Sequence, residues 1–171
     1  EANCKSYKDM NGTPVGSNRC KVRGAYTEDA FKDQQAKIVT AINTLDVDVL
    51  GLSEIENTAT VTGDVSKRDE TLQNLVDALN DAAGEEKWAL VKSPTQLGTD
   101  EDYIRVAFIY QKDKIRPVGE SKIFNDPAFT DAFNTIIEDN EIDVVFPTDD
   151  TAMVFFANNV ANIRARVVQP N

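Results

Sequence analysis

Residues 45–57 constrain the fold more than any other segment of this chain, because a short apolar run leads directly into acidic residues. The apolar run consists of Val47, Val49, Leu50 and Leu52. Such a nearly continuous run is typical of a strand that is covered on both faces. If the strand continues to Glu56, its two-residue period places Leu50, Leu52, Glu54 and Glu56 on one face.

An acidic residue at the end of a core strand suggests a catalytic or metal-binding role. Burying a carboxylate is unfavourable unless a cation, a metal ion or hydrogen-bond donors compensate its charge. Glu54 is therefore a candidate metal ligand or acid–base group. The alternative is that the strand ends at Ser53 and that Glu54 and Glu56 are solvated loop residues. The pattern alone leaves both interpretations open.

The length and composition predict one domain over residues 1–171. The chain is 41% hydrophobic and 27% charged, which is typical of a globular protein and not of a disordered one. No apolar run approaches the length of a membrane span, and no signal peptide is recognisable, so we expect no membrane partner. The chain begins at Glu1 without an initiator Met, and we expect a processed or truncated product.

Charge and residue usage exclude several kinds of chemistry. The net charge of -11 has the wrong sign for general binding of nucleic acid, so a polyanion would have to meet local basic residues or bound cations. The chain has no histidine, which excludes Ser-His and Cys-His catalysis and His-ligated zinc within it. The remaining candidates are carboxylates, hard cations, and Asn, Tyr, Lys or Arg side chains.

The two cysteines, Cys4 and Cys20, lie in a polar N-terminal segment that we expect to be a long ordered loop over residues 1–26. A disulfide between them would stabilise a loop that cannot pack by itself, by roughly 3 kcal/mol in the chain-entropy model. The pairing implies an oxidising compartment and a secreted, extracellular or periplasmic protein. Two free cysteines in a cytosolic protein are the alternative.

The hydrophobic periodicity predicts an α/β fold, with helices packed on a mixed sheet. Thr27 is a plausible N-cap for a helix from Glu28 to about Thr44, and a second helix is expected from about Lys67 to Ala83, with Gly84 as its C′ residue. A loop is expected over 57–67. Strands are predicted at Lys87–Lys92, Ile104–Gln111 (antiparallel to each other), Ile115–Val118, Ile142–Phe146, Ala152–Ala157 and Ile163–Val168, the last three as a strand pair or meander.

The order of the motifs resembles the endonuclease/exonuclease/phosphatase family, the DNase I-like enzymes, in its secreted bacterial branch. The resemblance covers roughly residues 4–118. It rests on Cys20-Lys21-Val22-Arg23-Gly24-Ala25-Tyr26-Thr27, on Asp48-Val49-Leu50-Gly51-Leu52-Ser53-Glu54-Ile55-Glu56-Asn57, and on Ile104-Arg105-Val106-Ala107-Phe108-Ile109-Tyr110. It implies about one half of that family's four-layered α/β sandwich.

The resemblance also implies roles for four residues. Glu54 would bind the catalytic Mg²⁺ or Mn²⁺, which agrees with the preference of hard cations for carboxylate oxygen. Asn57 would orient ligands or substrate. Arg105 would contact a substrate phosphate and Tyr103 would line the same rim, although both are equally consistent with ordinary surface or core residues.

The family also requires two histidines, a Gly-Asp-x-Asn motif and a second half, whereas this chain has no histidine and no matching Gly-Asp-x-Asn sequence, and we expect it to end about where the second half would begin. We therefore expect part of a metal-dependent nuclease or phosphodiesterase that is inactive as an isolated chain. The alternatives are a non-catalytic secreted binding domain, in which acidic loops could bind Ca²⁺, and a phosphatase of the same family. A missing first strand would leave an unpaired sheet edge, which predicts an edge-strand dimer.

Overall fold

The computed structural model describes residues 4–98, 101–123, 129–145, 156 and 160–167. The chain divides into two compact units. Unit 1 contains residues 1–93 and 101–121, and unit 2 contains residues 94–100 and 122–171. The α/β class that the sequence predicts is confirmed, because helices and sheets alternate along the chain.

The N-terminal segment is a β-hairpin and not the predicted loop. Strand β1 (Lys5–Lys8) pairs antiparallel with strand β2 (Pro14–Asn18). The predicted disulfide is confirmed, since Cys4 and Cys20 are bonded immediately outside the two strands. The strands were missed because they are short and polar, so that no apolar alternation marks them.

Helix α1 spans Glu28–Leu45, within one residue of the predicted end. It begins where expected because the Thr27 hydroxyl accepts a hydrogen bond from the Ala30 N–H at 3.2 Å. It ends at Asp46, which has a left-handed backbone conformation and donates its N–H to the Ile42 carbonyl.

The main sheet of unit 1 contains three antiparallel strands in the order β3-β5-β4. They are β3 (Val49–Glu56), β4 (Trp88–Leu90) and β5 (Ile104–Gln111). The predicted pairing of β4 with β5 is confirmed. In the described residues, parallel pairing occurs in a separate two-stranded sheet of unit 2.

The segment between β3 and β4 is more helical than predicted. Helix α2 (Thr58–Thr62) and a 3₁₀ turn (Val65–Lys67) occupy the expected loop. Helix α3 spans Glu70–Ala83 and begins three residues later than predicted. Gly84 ends α3 in a left-handed conformation with φ of 70°, as its position in the sequence predicts.

The core of unit 1 lies between one face of the sheet and helices α1 and α3. Its buried apolar residues are Val39, Ile42, Leu72, Val76, Leu79, Trp88, Ala107 and Ile109, with Leu50, Leu52 and Ile55 packed against them. The opposite face of the sheet exposes Val49, Val106 and Phe108. The expectation that β3 is covered on both faces is therefore wrong, since an antiparallel sheet can keep one solvated face.

Unit 2 contains helix α4 (Phe129–Asp139), a 3₁₀ turn (Val160–Asn162), and the parallel strands β6 (Val144–Val145) and β7 (Arg166–Val167). Ile137, Phe156 and Ile163 form its buried apolar cluster. The pair β6–β7 falls within two predicted strands, but it is shorter than either. Residues 115–118 do not form the predicted strand, and residues 152–157 lie outside the described residues except for Phe156, which is helical. None of the described helices has both the length and the apolar character needed to cross a membrane.

Candidate functional site

A β-bulge at the end of β3 decides where the candidate carboxylate points. Leu52 pairs with Ala107 and Ile55 pairs with Arg105, so that Ser53 and Glu54 together oppose the single residue Val106. The extra residue shifts the alternation, and Ile55 instead of Glu54 follows Leu52 into the core. Glu54 is exposed and has a left-handed backbone with φ of 57°. The prediction that Glu54 shares the leucine face is wrong, and so is the alternative that the strand ends at Ser53.

Ser53 and Glu54 of the bulge line a cleft of about 590 Å³ that lies within unit 1. Its walls come from the N-terminal segment, α1, α2, α3 and the end of β3. Its lining includes apolar Phe31, Ile38, Leu52, Val61 and Leu75, polar Gln34, Gln35, Thr71 and Asn74, and charged Arg23, Glu54 and Glu56. Glu54 and Glu56, which are two residues apart, therefore both line one cavity that has amide side chains nearby.

Tyr103 lines the same cleft, whereas Arg105, with which it was predicted to share a rim, does not. The ammonium group of Lys21 lies 5.5 Å from the centre of the Tyr103 ring, a cation–π contact. Thr71 donates a hydrogen bond to Glu56 at 3.3 Å, so Glu56 is held by α3 while Glu54 is exposed. The structure thus brings Glu54, Glu56 and Tyr103 together.

Asn57 lies outside the cleft lining and is completely buried. Its side-chain amide donates to Glu101 Oε2 at 2.7 Å and to the Asp102 carbonyl at 3.0 Å. Its backbone N–H donates to the Tyr103 carbonyl at 2.9 Å. Among the described residues its Oδ1 atom has no hydrogen-bond partner. Through these contacts, Asn57 joins the end of β3 to the segment that leads into β5.

Arg105 also lies outside the cleft lining, in a buried network of ion pairs. Its Nη2 atom donates to Asp69 Oδ1 at 2.7 Å and to the Arg68 carbonyl at 3.2 Å. Arg68 in turn pairs with Glu101 at 2.9 Å, the same carboxylate that holds Asn57. Burial lowers the pKa of Arg105, and the attraction of Asp69 opposes this effect.

Four residues, Arg68, Asp69, Ser93 and Glu101, complete this network, and the sequence analysis did not identify them. Ser93 donates from both its backbone N–H and its hydroxyl to Asp69, at 2.8 and 2.6 Å. A charged Arg-Asp pair just before an apolar helix was the available signal, but such pairs are usually solvated. Their role depends on contacts across 24 to 44 residues of chain, which no local pattern reveals.

The residues at the cleft fit a hydrated divalent cation and not a closed metal cage. Mg²⁺ is commonly held by one or two carboxylates and keeps several waters, and Glu54 and Glu56 provide that chemistry. Within the described ranges, no group of three or more Asp, Glu, Cys or His side chains is placed to hold a metal ion. Any further ligands would have to be water, substrate or another part of a larger site.

Comparison of the chain with models of protein families, with curated proteins and with solved structures finds no match.

Proposed function

We propose that the chain is part of a metal-dependent phosphodiester hydrolase, a nuclease or a related phosphodiesterase. The observation that carries the proposal is the exposed residue Glu54, which lies at a left-handed bulge and lines a cleft together with Glu56. The resemblance of residues 4–118 to the endonuclease/exonuclease/phosphatase family supports the same role. When bound, Mg²⁺ or Mn²⁺ would supply Lewis-acid stabilisation of charge on a phosphate.

The one-sided sheet supports the idea of an incomplete catalytic domain. Helices α1 and α3 cover one face, while Val49, Val106 and Phe108 remain exposed on the other. A second sheet packed on that face would produce the layered sandwich that the resemblance implies.

The isolated chain is expected to lack catalysis. It contains no histidine for general acid–base chemistry, and Asn57 and Arg105 are engaged in the buried network outside the cleft. In this proposal, Asn57 supports the site by fixing the residues that follow Glu56. Tyr103 is the remaining candidate for contact with substrate.

Mn²⁺ binding followed by electron paramagnetic resonance tests the metal site. We expect weak binding of Mn²⁺ that Mg²⁺ displaces and that Glu54→Gln abolishes. Glu85→Gln is the matched control, because Glu85 is an exposed glutamate outside the cleft. Equal binding by the wild type and Glu54→Gln would refute the assignment. Cleavage of plasmid DNA by the purified chain would refute its inactivity.

A non-catalytic secreted binding domain is the second candidate, and the absence of histidine from the chain favours it. Tight Ca²⁺ binding that Glu54→Gln leaves unchanged would support this candidate over a hydrolase. A phosphatase would be distinguished by its use of phosphate monoesters when the chain is combined with the missing half.

The Cys4–Cys20 disulfide supports the proposed secreted, extracellular or periplasmic location, because disulfides persist in oxidising compartments. Strand β3 lies at one edge of the described main sheet, which supports the expected edge-strand dimer. Light scattering at high protein concentration tests that dimer, and a monomer would contradict it.

A further inference from the structure

The N-terminal hairpin is a basic region in an acidic protein. Residues 4–26 contain five basic residues and one acidic residue, a net charge of +4, whereas the whole chain has a net charge of -11. The basic residues are Lys5, Lys8, Arg19, Lys21 and Arg23. This local concentration of positive charge is what an acidic protein needs if it is to bind a polyanion.

The hairpin presents these charges from a fixed scaffold. The disulfide joins its ends, and the Asp9 carboxylate accepts hydrogen bonds from the N–H groups of Asn11 and Thr13 in its turn. Lys5 and Lys8 are exposed, and in the described part of the chain neither forms an ion pair with a carboxylate. Their charges are therefore available to a partner.

Tyr7 provides an aromatic surface on the face of β1 that also carries Lys5, whereas Lys8 lies on the opposite face. Its side chain is 61% exposed, and its ring lies close to Gly16, on the neighbouring strand. Gly16 in turn forms a bridge with Ala25, which lines the cleft together with Arg23. Tyr7, Gly16 and Ala25 are therefore successive register partners, and the last of them lines the cleft.

We infer that the hairpin is a docking surface for single-stranded nucleic acid, which it directs toward the cleft. Lys5 and Lys8 would neutralise phosphates and Tyr7 would stack on a base. Arg23, which pairs with Asp102 at 3.5 Å and keeps half of its side chain exposed, would meet the strand at the cleft wall. Lysines interspersed with an exposed aromatic ring are the usual elements of such surfaces. The positive charge of the hairpin does not depend on the proposed function, but the choice of nucleic acid over other polyanions rests on it.

Fluorescence anisotropy of a labelled oligothymidylate tests this inference at low ionic strength in EDTA. The double variant Lys5→Gln/Lys8→Gln should weaken binding at least about tenfold, and it should reduce the slope of log K against log salt by about 1.4, since each phosphate contact contributes about 0.7 for single strands. The double variant Lys37→Gln/Lys92→Gln removes two exposed lysines elsewhere and is the matched control. It should bind within about threefold of the wild type once the salt titration reaches about 0.1 M, because exposed charges more than about 10 Å from the bound strand are then largely screened.

Tyr7→Ala separates stacking from charge. We expect it to weaken binding by about 5-fold to 100-fold, the range for one base stacked on an aromatic ring, and to leave the salt slope unchanged. Circular dichroism and a free-thiol assay on each variant check that the hairpin remains folded and its disulfide intact.

Three results would overturn the inference: no binding by the wild type, equal losses in the two lysine double variants, or binding to anionic phospholipid vesicles without binding to the oligonucleotide. The EDTA separates this test from that of the metal site. Oligonucleotide binding without Mn²⁺ binding would refute the proposed hydrolase but support the docking surface. Mn²⁺ binding at Glu54 without oligonucleotide binding would support the hydrolase but refute the docking surface.

Discussion

Replacing Asp69 with asparagine tests whether Arg105 is held as part of the fold. The Asp69 carboxylate accepts hydrogen bonds from Arg105 Nη2 at 2.7 Å, from the Ser93 hydroxyl at 2.6 Å and from the Ser93 N–H at 2.8 Å. Asparagine keeps the shape of the side chain but loses its charge and turns one acceptor into a donor. One of these three contacts must then place a donor against a donor.

The expected loss in the free energy of unfolding follows from burial. The side chain of Arg105 is 9% exposed and that of Asp69 is 27% exposed. Breaking a fully buried ion pair costs about 3–5 kcal/mol, mainly because the remaining charge stays buried without its partner. Water reaches part of Asp69, so we expect about 2–3 kcal/mol for Asp69→Asn after discounting for screening.

An exposed pair of almost the same length provides the control. Lys112 contacts Glu86 at 2.6 Å, but Glu86 is 82% exposed. Exposed pairs contribute about 0–1 kcal/mol, so Glu86→Gln should cost no more than about 0.5 kcal/mol. Both variants remove one carboxylate charge from one cation, but only Asp69→Asn does so in a buried network that also includes Ser93.

Urea denaturation monitored by tryptophan fluorescence measures both variants. Trp88 is the only tryptophan of the chain and is completely buried in unit 1, so its signal reports on that unit. With a slope of about 2 kcal/mol per molar urea, Asp69→Asn should lower the midpoint by about 1–1.5 M and Glu86→Gln by no more than about 0.25 M. Equal shifts, or a shift below about 0.25 M for Asp69→Asn, would refute the structural role and make Arg105 a candidate phosphate ligand again.

Three further predictions address the bulge, the disulfide and an exposed ion pair. Glu54→Gly should raise the free energy of unfolding by about 1 kcal/mol in the same urea assay, because glycine accepts the positive φ, and Glu54→Val should lower it. The pair Cys4→Ser/Cys20→Ser should lose about 3 kcal/mol in the chain-entropy model, and trypsin should then cut the hairpin first; unchanged resistance to trypsin would contradict this. Hydrogen bonding between Lys87 and Asp46 lowers the pKa of Asp46 and raises that of Lys87. The stability difference between the wild type and Lys87→Met should therefore be present at neutral pH, disappear as the pH falls through the Asp46 pKa below 3.8, and disappear again as it rises through the Lys87 pKa above 10.5. A difference that persists in strong acid would contradict the assignment.

The elements that were predicted well are those whose signals are local. Helix α1 has an N-cap at Thr27 and an apolar face, α3 has Gly84 at its end, and β5 is a compact apolar run bounded by polar residues. The hairpin was missed because its strands carry no apolar alternation and depend on a disulfide across 16 residues.

The candidate site was predicted only in part, because the contacts that define it are also not local in the sequence. The acidic pair at the end of β3 is visible in the sequence, but one inserted residue reverses which side chains face the core. Nothing in the period of two reveals that Val106 opposes two residues. Asn57 and Arg105 were expected near substrate, whereas the contacts that bury them come from Glu101 and Asp69, at distant positions in the chain.

The left-handed backbone conformation of Glu54 is the strongest argument that its carboxylate has a function. A left-handed conformation costs a residue other than glycine about 1–2 kcal/mol. Asp46 adopts the same conformation, but there it ends helix α1 and its carboxylate binds Lys87 and Gln111, so the fold itself accounts for it. Glu54 lies at a bulge, where glycine would serve the backbone better, and it is an exposed residue that lines a cleft. A strained residue whose side chain does not stabilise the core is expected where that side chain binds a ligand. Glu54→Gly should therefore increase the stability of the protein and also abolish its Mn²⁺ binding.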